Sequence, residues 1–175
     1  MKIHGTAKGA ALSKKDFGVA FGGAAIIEIT DCTGFTNSGT ANVADTGRIR
    51  ASPVTASDSY TVTKIQFYGT GSGGNVKFSI YSDDSDSPDE LVATTGSQTF
   101  VAGTTDYDLE ASYDVSSGTK YWLSFQNDFN VTIITGTDGA KAGVYKNGVA
   151  FGTTPNPFGT PTDYTTSGTQ ICMLT

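Results

Sequence analysis

Nine consecutive residues near the middle of the chain, SDDSDSPDE, form its densest cluster of carboxylates. Asp83, Asp84, Asp86 and Asp89 lie within this segment. Ca²⁺ takes about six to eight oxygen ligands, which clustered carboxylates can supply. An EF-hand is excluded, because Pro88 and Asp89 stand where its loop needs a ligand and a glycine. The segment therefore has two interpretations, a calcium site of another kind and a solvated turn made by Ser, Pro and Asp.

The chain has few residues that suit the common enzymatic centres. His4 is the only histidine, so a Ser-His-acid triad or a histidine zinc site in the rest of the chain has no imidazole to use. Glycoside hydrolysis needs two carboxylates at a fixed separation, but the spacing of Glu28, Glu90 and Glu110 singles out no acid and base. We therefore expect a protein that is not an enzyme and that uses no cofactor.

The segment GTGSGG matches a dinucleotide-binding pattern in its letters. Gly69, Gly71 and Gly74 satisfy GxGxxG after a strand-like run. That fingerprint works because a helix follows and directs its N-terminal amides at the pyrophosphate. The residues that follow here, NVKFSIY, alternate like a strand, so we expect no nucleotide site.

The segment GTKYWLSFQND has the most core-like pattern in the chain. With the two-residue period of a strand, Tyr121, Leu123 and Phe125 share one face, and Trp122 and Ser124 lie on the other. Large aromatic side chains dominate core energetics, which favours burial of Trp122 beneath a loop or a second layer. The alternative is an exposed platform that stacks on a sugar ring, which makes Trp122 a candidate glycan contact.

The composition predicts an all-β fold. The chain of 175 residues has 27 Thr, 22 Gly and 18 Phe plus Tyr, but only five Leu and three Glu. β-Branched and aromatic side chains fit a pleated, half-buried surface, whereas helix-favouring residues are scarce. Short strands separated by turn residues favour a sandwich or a barrel. Strands are predicted at residues 25–30, 60–68, 75–82, 91–95, 98–101, 107–115, 120–126, 131–135, 142–146, 149–152 and 169–174.

Two hairpins are predicted from turn residues. Asn147 and Gly148 suit a type I′ turn, so the segments on either side, residues 142–146 and 149–152, are expected to pair. Residues 64–83 are expected to form a second hairpin with a glycine-rich tip.

Two cysteines, Cys32 and Cys172, lie near the two ends of the predicted β-domain. They can form a disulfide if the first and last strands are neighbours, but the sequence does not determine that proximity. Two free thiols are the alternative.

Charge separates the start of the chain from the rest. Residues 1–24 carry four Lys and one Asp, a net charge of +3, while residues 25–175 carry −9 within a chain total of −6. The glycine-rich start lacks the apolar run of a signal peptide. We therefore divide the chain into an N-terminal arm, residues 1–24, and a β-sandwich domain, residues 25–175.

A body this acidic repels phosphate backbones, and no stretch is long and apolar enough for a membrane helix. Neither nucleic-acid binding nor direct membrane insertion is expected.

The arm has the residues of an assembly segment. Lys14 and Lys15 precede Phe17, Val19 and Phe21, which share one face of an extended chain. Such a segment can add as a strand to an exposed sheet edge of a neighbouring subunit. Ordering an arm costs about 1–2 kcal/mol per residue. Burial of its apolar side chains against a partner offsets that cost, which explains why the arm has them.

The segment VTKIQFYGT and the residues that follow it, within residues 54–135, resemble a jelly-roll-like β-sandwich domain found in extracellular, cell-surface and virus-associated proteins. The matching segments are FSIYSD, the Ser/Asp/Pro loop, LVATTGS, a middle hairpin and GTKYWLSF. The resemblance implies that KYWL lies in the core and that the domain is an adhesive, glycan-binding or structural unit. This family often has a glycine in the acidic loop, where this chain has Asp86 and Asp89. The opening, MKIHGTAKGAALSKKDFGVAFGG, also resembles the start of uncharacterised proteins from marine microbes and their viruses.

Together these features favour a viral structural protein. A surface-type sandwich that starts at Met1 without an export signal suits a virion component that is made in the host cytoplasm and freed by lysis. We expect a phage or archaeal-virus capsid, capsid-decoration or tail-associated subunit that forms homo-oligomers through its arm. Its expected partners are other copies, other virion proteins and a host-surface glycan. The alternative is an extracellular carbohydrate-binding or adhesion module.

Overall fold

The computed structural model describes residues 30–33, 40–136, 143–164, 168–169 and 171–175. Within these residues the chain forms thirteen strands and no helix. In chain order they are β1 (Thr30–Cys32), β2 (Thr40–Ala44), β3 (Arg48–Thr55), β4 (Tyr60–Thr70), β5 (Asn75–Asp84), β6 (Ser87–Thr99), β7 (Gly103–Val115), β8 (Lys120–Asn127), β9 (Val131–Gly136), β10 (Gly143–Asn147), β11 (Thr162–Tyr164), β12 (Gly168–Thr169) and β13 (Ile171–Leu174).

The strands form two antiparallel sheets that pack face to face. One sheet has the strand order β11-β10-β3-β8-β5-β6. In the other sheet β4 is central, with β13 and β9 along one side and β7 along the other. β1 lies next to β13, and both β2 and β12 pair with β9. The predicted fold class, an all-β antiparallel sandwich, is confirmed.

Aromatic side chains fill the space between the sheets. Phe67 on β4 contacts Phe78 on β5 and Phe125 on β8, with ring centroids 5.1 and 5.3 Å apart. Tyr121 and Leu123 of β8 belong to the same buried cluster. Aromatic pairs of this kind each contribute about 0.5–1.5 kcal/mol beyond the area that they bury. The prediction that alternate residues of this strand share one core face is confirmed.

The opposite face of the six-stranded sheet is also buried. The chain between β10 and β11 crosses this face, and its Val149 and Phe158 pack with Trp122 and Tyr81. The rings of Tyr81 and Phe158 lie 5.1 Å apart, edge to face. The Tyr81 hydroxyl donates to the Pro155 carbonyl at 2.9 Å, and burial raises the pKa of Tyr81. Because both faces of the sheet are covered, nearly every residue of β8 is buried.

Both predicted hairpins are wrong. Gly148 has a φ of 70°, but a type I′ turn also needs a positive φ at Asn147, which is not among the described residues with a positive φ. Residues 149–152 form no strand, and β10 pairs with β3 and β11 instead. The Val149 amide donates to the Gly47 carbonyl at 3.2 Å, which directs the chain away from β10. The second hairpin fails because β4 and β5 lie in different sheets, so the glycine-rich residues 71–74 connect the two sheets.

Several strands differ in extent from the prediction. The two segments predicted at residues 91–95 and 98–101 form part of one long strand, β6, whose pairing with β5 has register shifts. The sequence does not predict β2, β3 or β11. Pro53 argues against a strand at β3, because proline has no amide hydrogen to donate. However, β10 pairs only with residues 48–51 of β3, so no hydrogen bond to β10 is lost at Pro53. The strand predicted at residues 25–30 lies almost wholly outside the described residues.

Candidate functional site

The candidate site is β1, where the segment that contains the arm joins the sandwich. None of the predicted assembly residues belongs to the part of the chain that the structure describes. These residues are Lys14, Lys15, Phe17, Val19 and Phe21. Among the described strands, β1 pairs only with β13, at a margin of the seven-stranded sheet. A strand of three residues forms few backbone hydrogen bonds, so the firmness of this junction depends on its side chains.

Cys32 and Cys172 form a disulfide that joins β1 to β13. The two residues are direct partners in the antiparallel register, so the first and last described strands are neighbours. The bond closes a loop with a sequence separation of 140 residues. A cross-link over so long a loop stabilises the fold mainly by restricting the unfolded chain. It also ties β1 covalently to the sandwich.

Asp31 adds a second attachment beside the disulfide. Its buried carboxylate accepts hydrogen bonds at Oδ2 from the Ser57 amide at 2.9 Å and from the Tyr60 hydroxyl at 2.8 Å. Burial, followed by the hydrogen bond to Asp31 and its negative charge, raises the pKa of Tyr60. Hydrogen bonds to a charged group contribute about 1.5–3 kcal/mol each. No sequence pattern predicted a role for Asp31, and its position beside Cys32 is the one signal that points to it.

Thr33 completes the attachment on the other side of Cys32. Its hydroxyl donates to the Thr169 carbonyl at 2.8 Å and accepts from the Ile171 amide at 3.2 Å. The Thr33 amide donates to the Ile171 carbonyl at 3.1 Å. Three consecutive residues thus bind three parts of the sandwich, and we call Asp31, Cys32 and Thr33 the anchor.

The candidate glycan contact is buried. Trp122 has no exposed surface, and its indole Nε1 donates to Asp83 Oδ1 at 2.7 Å. Stacking on a sugar requires an open ring face, which Trp122 does not offer in this structure. The glycan interpretation of Trp122 is therefore corrected, and the alternative interpretation, burial beneath a loop, describes it.

The acidic segment SDDSDSPDE is a tight hairpin rather than a long loop. β5 and β6 remain paired as far as Asp84 and Ser87, and Ser85 and Asp86 form the turn between them. Both turn residues have a positive φ, 51° and 67°, which suits a type I′ turn. Most of the segment predicted as a loop therefore belongs to strands.

The structure does not support the calcium interpretation of this hairpin. Asp86 accepts a hydrogen bond from Lys120 Nζ at 2.7 Å, which raises the pKa of Lys120. Asp83 accepts the indole hydrogen bond described above. Among the residues that the structure describes, no three His, Cys, Asp or Glu side chains are arranged to hold a metal ion. This finding covers all four predicted ligands, Asp83, Asp84, Asp86 and Asp89.

A second surface feature is an acidic margin on β6 and β7. Residues 87–115 contain six Asp and Glu and no Lys or Arg, while the rest of the chain has eleven acidic and eleven basic residues. This margin therefore accounts for the whole net charge of −6. The two strands are adjacent, since Gln98 Nε2 of β6 donates to the β7 carbonyl of Asp108 at 2.7 Å. The acidic edge, as we call it, is the exposed face of β7 with Asp106, Asp108, Glu110 and Asp114.

No protein-family model matches the chain, and no curated protein is significantly similar to it in sequence. In the described part of the chain there is no helix with the length and apolar character needed to cross a membrane. The single histidine, His4, lies outside the described residues.

Proposed function

We propose that this protein is a non-enzymatic structural subunit of a virus particle, as a capsid, decoration or tail-associated protein that assembles through its arm. The observation that carries the proposal is the anchor. A segment that links subunits transmits force to the strand that attaches it to the domain. A short strand held by backbone hydrogen bonds alone peels away from its sheet easily. The disulfide and the buried Asp31 carboxylate oppose that peeling at the residues that follow the arm.

The disulfide also favours the interpretation that the protein works outside a cell. Such bonds persist at virion and cell surfaces and are rare in reducing cytoplasm. A particle protein made in a host cytoplasm and released by lysis meets this environment after release. The alternative function, a carbohydrate-binding module, has lost its candidate aromatic contact because Trp122 is buried.

Size-exclusion chromatography with light scattering tests the proposal. We expect the full chain to form oligomers and a variant without residues 1–24 to be monomeric. A variant without residues 1–12 is the matched control, because it keeps the predicted assembly residues and should still form oligomers. Circular dichroism of each variant verifies that the sandwich is intact. Equal assembly with and without residues 1–24 would contradict the proposal.

A further inference from the structure

Two side chains of β13 are buried without belonging to the core between the sheets. Ile171 and Met173 point into the sandwich and belong to its main buried cluster. Cys172 and Leu174 alternate with them, so they face the other side of the seven-stranded sheet. Their exposed fractions are only 4% and 1%, and neither side chain belongs to a core cluster of the described residues. We call Cys172 and Leu174 the outer patch.

Exposure decreases across this outer face of the sheet towards the outer patch. Leu174 pairs with Lys64 on β4, and Lys64 pairs with Asp108 on β7. Asp108 is exposed, Lys64 is half-buried and Leu174 is buried. The neighbouring row, through Gln66, has the same order. A leucine on an open sheet face would keep part of its surface in water, so the burial of Leu174 calls for a covering segment.

The chain before β1 is the part best placed to supply that cover. Residues 137–142 and 165–167 each connect strands of opposite sheets, which limits how far they can reach over an outer face. Residues 34–39 leave β1 beside Ile171, at the end of β13 away from Leu174. In contrast, β1 begins directly beside Leu174. The 29 residues before it can extend to about 95 Å, which is ample length to return over the sheet.

Within that part of the chain, the arm has the pattern of a cover. The residues directly before β1 suit its continuation, because Ile27 and Ile29 would then fall on the core side of the strand. The arm differs, since small residues alternate there with Phe17, Val19 and Phe21. An extended arm therefore has one large apolar face, which matches the apolar outer patch.

Charge fits the same placement. Lys14 and Lys15 lie about 7–10 Å from Phe17 along an extended chain. Asp106 and Asp108 of the acidic edge lie on the outer face two strands from β13, a distance of about 10 Å. An arm that crosses the sheet can therefore place its apolar face over the outer patch and its lysines beside these two carboxylates. Such complementary charges favour one orientation of the arm.

We infer that the outer patch is the docking surface of the arm, and that each copy in the assembly receives the arm of a neighbouring copy there. The apolar face of the arm covers Leu174 and the Cys32–Cys172 disulfide. Burial of the outer patch within one chain agrees with this exchange, because a segment that covers its own sheet makes the same contacts on a second copy. Exchange of an identical element is a low-cost route to oligomers. This inference rests on the proposed function, because it names the surface that the arm binds.

A double-mutant cycle in the full-length chain tests the inference. The patch variant carries Leu174→Ser, the arm variant carries Phe17→Ser and Phe21→Ser, and a third variant carries all three substitutions. We expect the patch variant and the arm variant each to raise the dissociation constant of self-association about tenfold or more, since each loses buried apolar area. The combined variant should be within about twofold of the weaker of these two, because both remove the same contact. Sedimentation velocity over a range of concentrations measures all four proteins.

Two control variants separate the outer patch from general effects of the substitutions. Val101→Ser removes an apolar side chain that is 53% exposed in the connection between β6 and β7, and it should change the dissociation constant less than about twofold. Leu174→Met keeps the apolar character and nearly the volume of the side chain, so it should retain assembly. Circular dichroism verifies the fold of each variant. An unfolded patch variant would mean that Leu174 stabilises the sandwich itself, which would overturn the inference.

The outcomes distinguish this inference from the proposed function. If the arm variant loses assembly while the patch variant assembles like wild type, the arm binds elsewhere, and the inference fails while the proposed function stands. The same holds if the effects of the two variants add in full, because the arm and the outer patch then act independently. If wild type is monomeric at every concentration, or if the arm variant assembles like wild type, both fail.

Discussion

Removal of the Cys32–Cys172 disulfide is expected to lower the free energy of unfolding by about 2–5 kcal/mol. In the chain-entropy model, a cross-link with a sequence separation of 140 residues stabilises the folded state by about 5 kcal/mol at 25 °C. Measured effects are often smaller, about 2–4 kcal/mol, because the unfolded chain retains structure. Stability of a whole domain is about 5–15 kcal/mol, so the loss is a large fraction of the total.

Urea unfolding measures this loss. The proteins to compare are wild type, wild type under a reductant, and the Cys32→Ala/Cys172→Ala variant, followed by tryptophan fluorescence and circular dichroism. The reduced protein and the variant should agree, since both lack the cross-link. A difference from oxidised wild type below about 1 kcal/mol would refute the reasoning, because it would mean that the bond does not restrict the unfolded chain.

Three further changes test the packing. Trp122→Phe leaves Asp83 without its indole donor and should cost about 1–3 kcal/mol in urea unfolding; an unchanged midpoint would contradict that hydrogen bond. Because the pKa of Tyr60 is raised in the folded protein, folding favours the neutral side chain. The stability that Tyr60 contributes to the fold is therefore complete below about pH 10 and is lost as pH rises further. Tyr60→Phe should therefore flatten the alkaline decline in unfolding free energy, and an equally steep decline would argue against this role. Gly74→Ala should destabilise more than Gly73→Ala by about 1 kcal/mol or more, since both have a positive φ but only the former forces a methyl group into a phenyl ring; equal melting temperatures would contradict the packing.

Local patterns predicted the parts of the fold that depend on neighbouring residues. The alternation in KYWLSF correctly placed Tyr121, Leu123 and Phe125 on one face, because the strand period is a local property. The burial of Trp122 was one of two interpretations, and the covering residues, Val149 and Phe158, come from a distant segment. A single segment cannot show which part of the chain will cover it.

Strand pairing was the part that the sequence could not predict. Asn147-Gly148 predicted a type I′ hairpin, but the chain only bends at Gly148, and the partners of β10 are β3 and β11. The choice of partner depends on contacts between residues far apart in sequence, which local turn signals do not encode. The anchor has the same origin, since Cys32 meets Cys172 only after the first and last described strands become neighbours. Its Asp31 carboxylate finds Ser57 and Tyr60 by the same tertiary packing.

Sedimentation of the full-length chain beside the chain that lacks residues 1–24 is the most direct measurement of arm-driven assembly. With the arm present, we predict a mass that is a multiple of 18.2 kDa and that rises with concentration. Without the arm, we predict a folded monomer at every concentration. A full-length protein that stays at 18.2 kDa throughout, or an armless protein that assembles equally well, would contradict it.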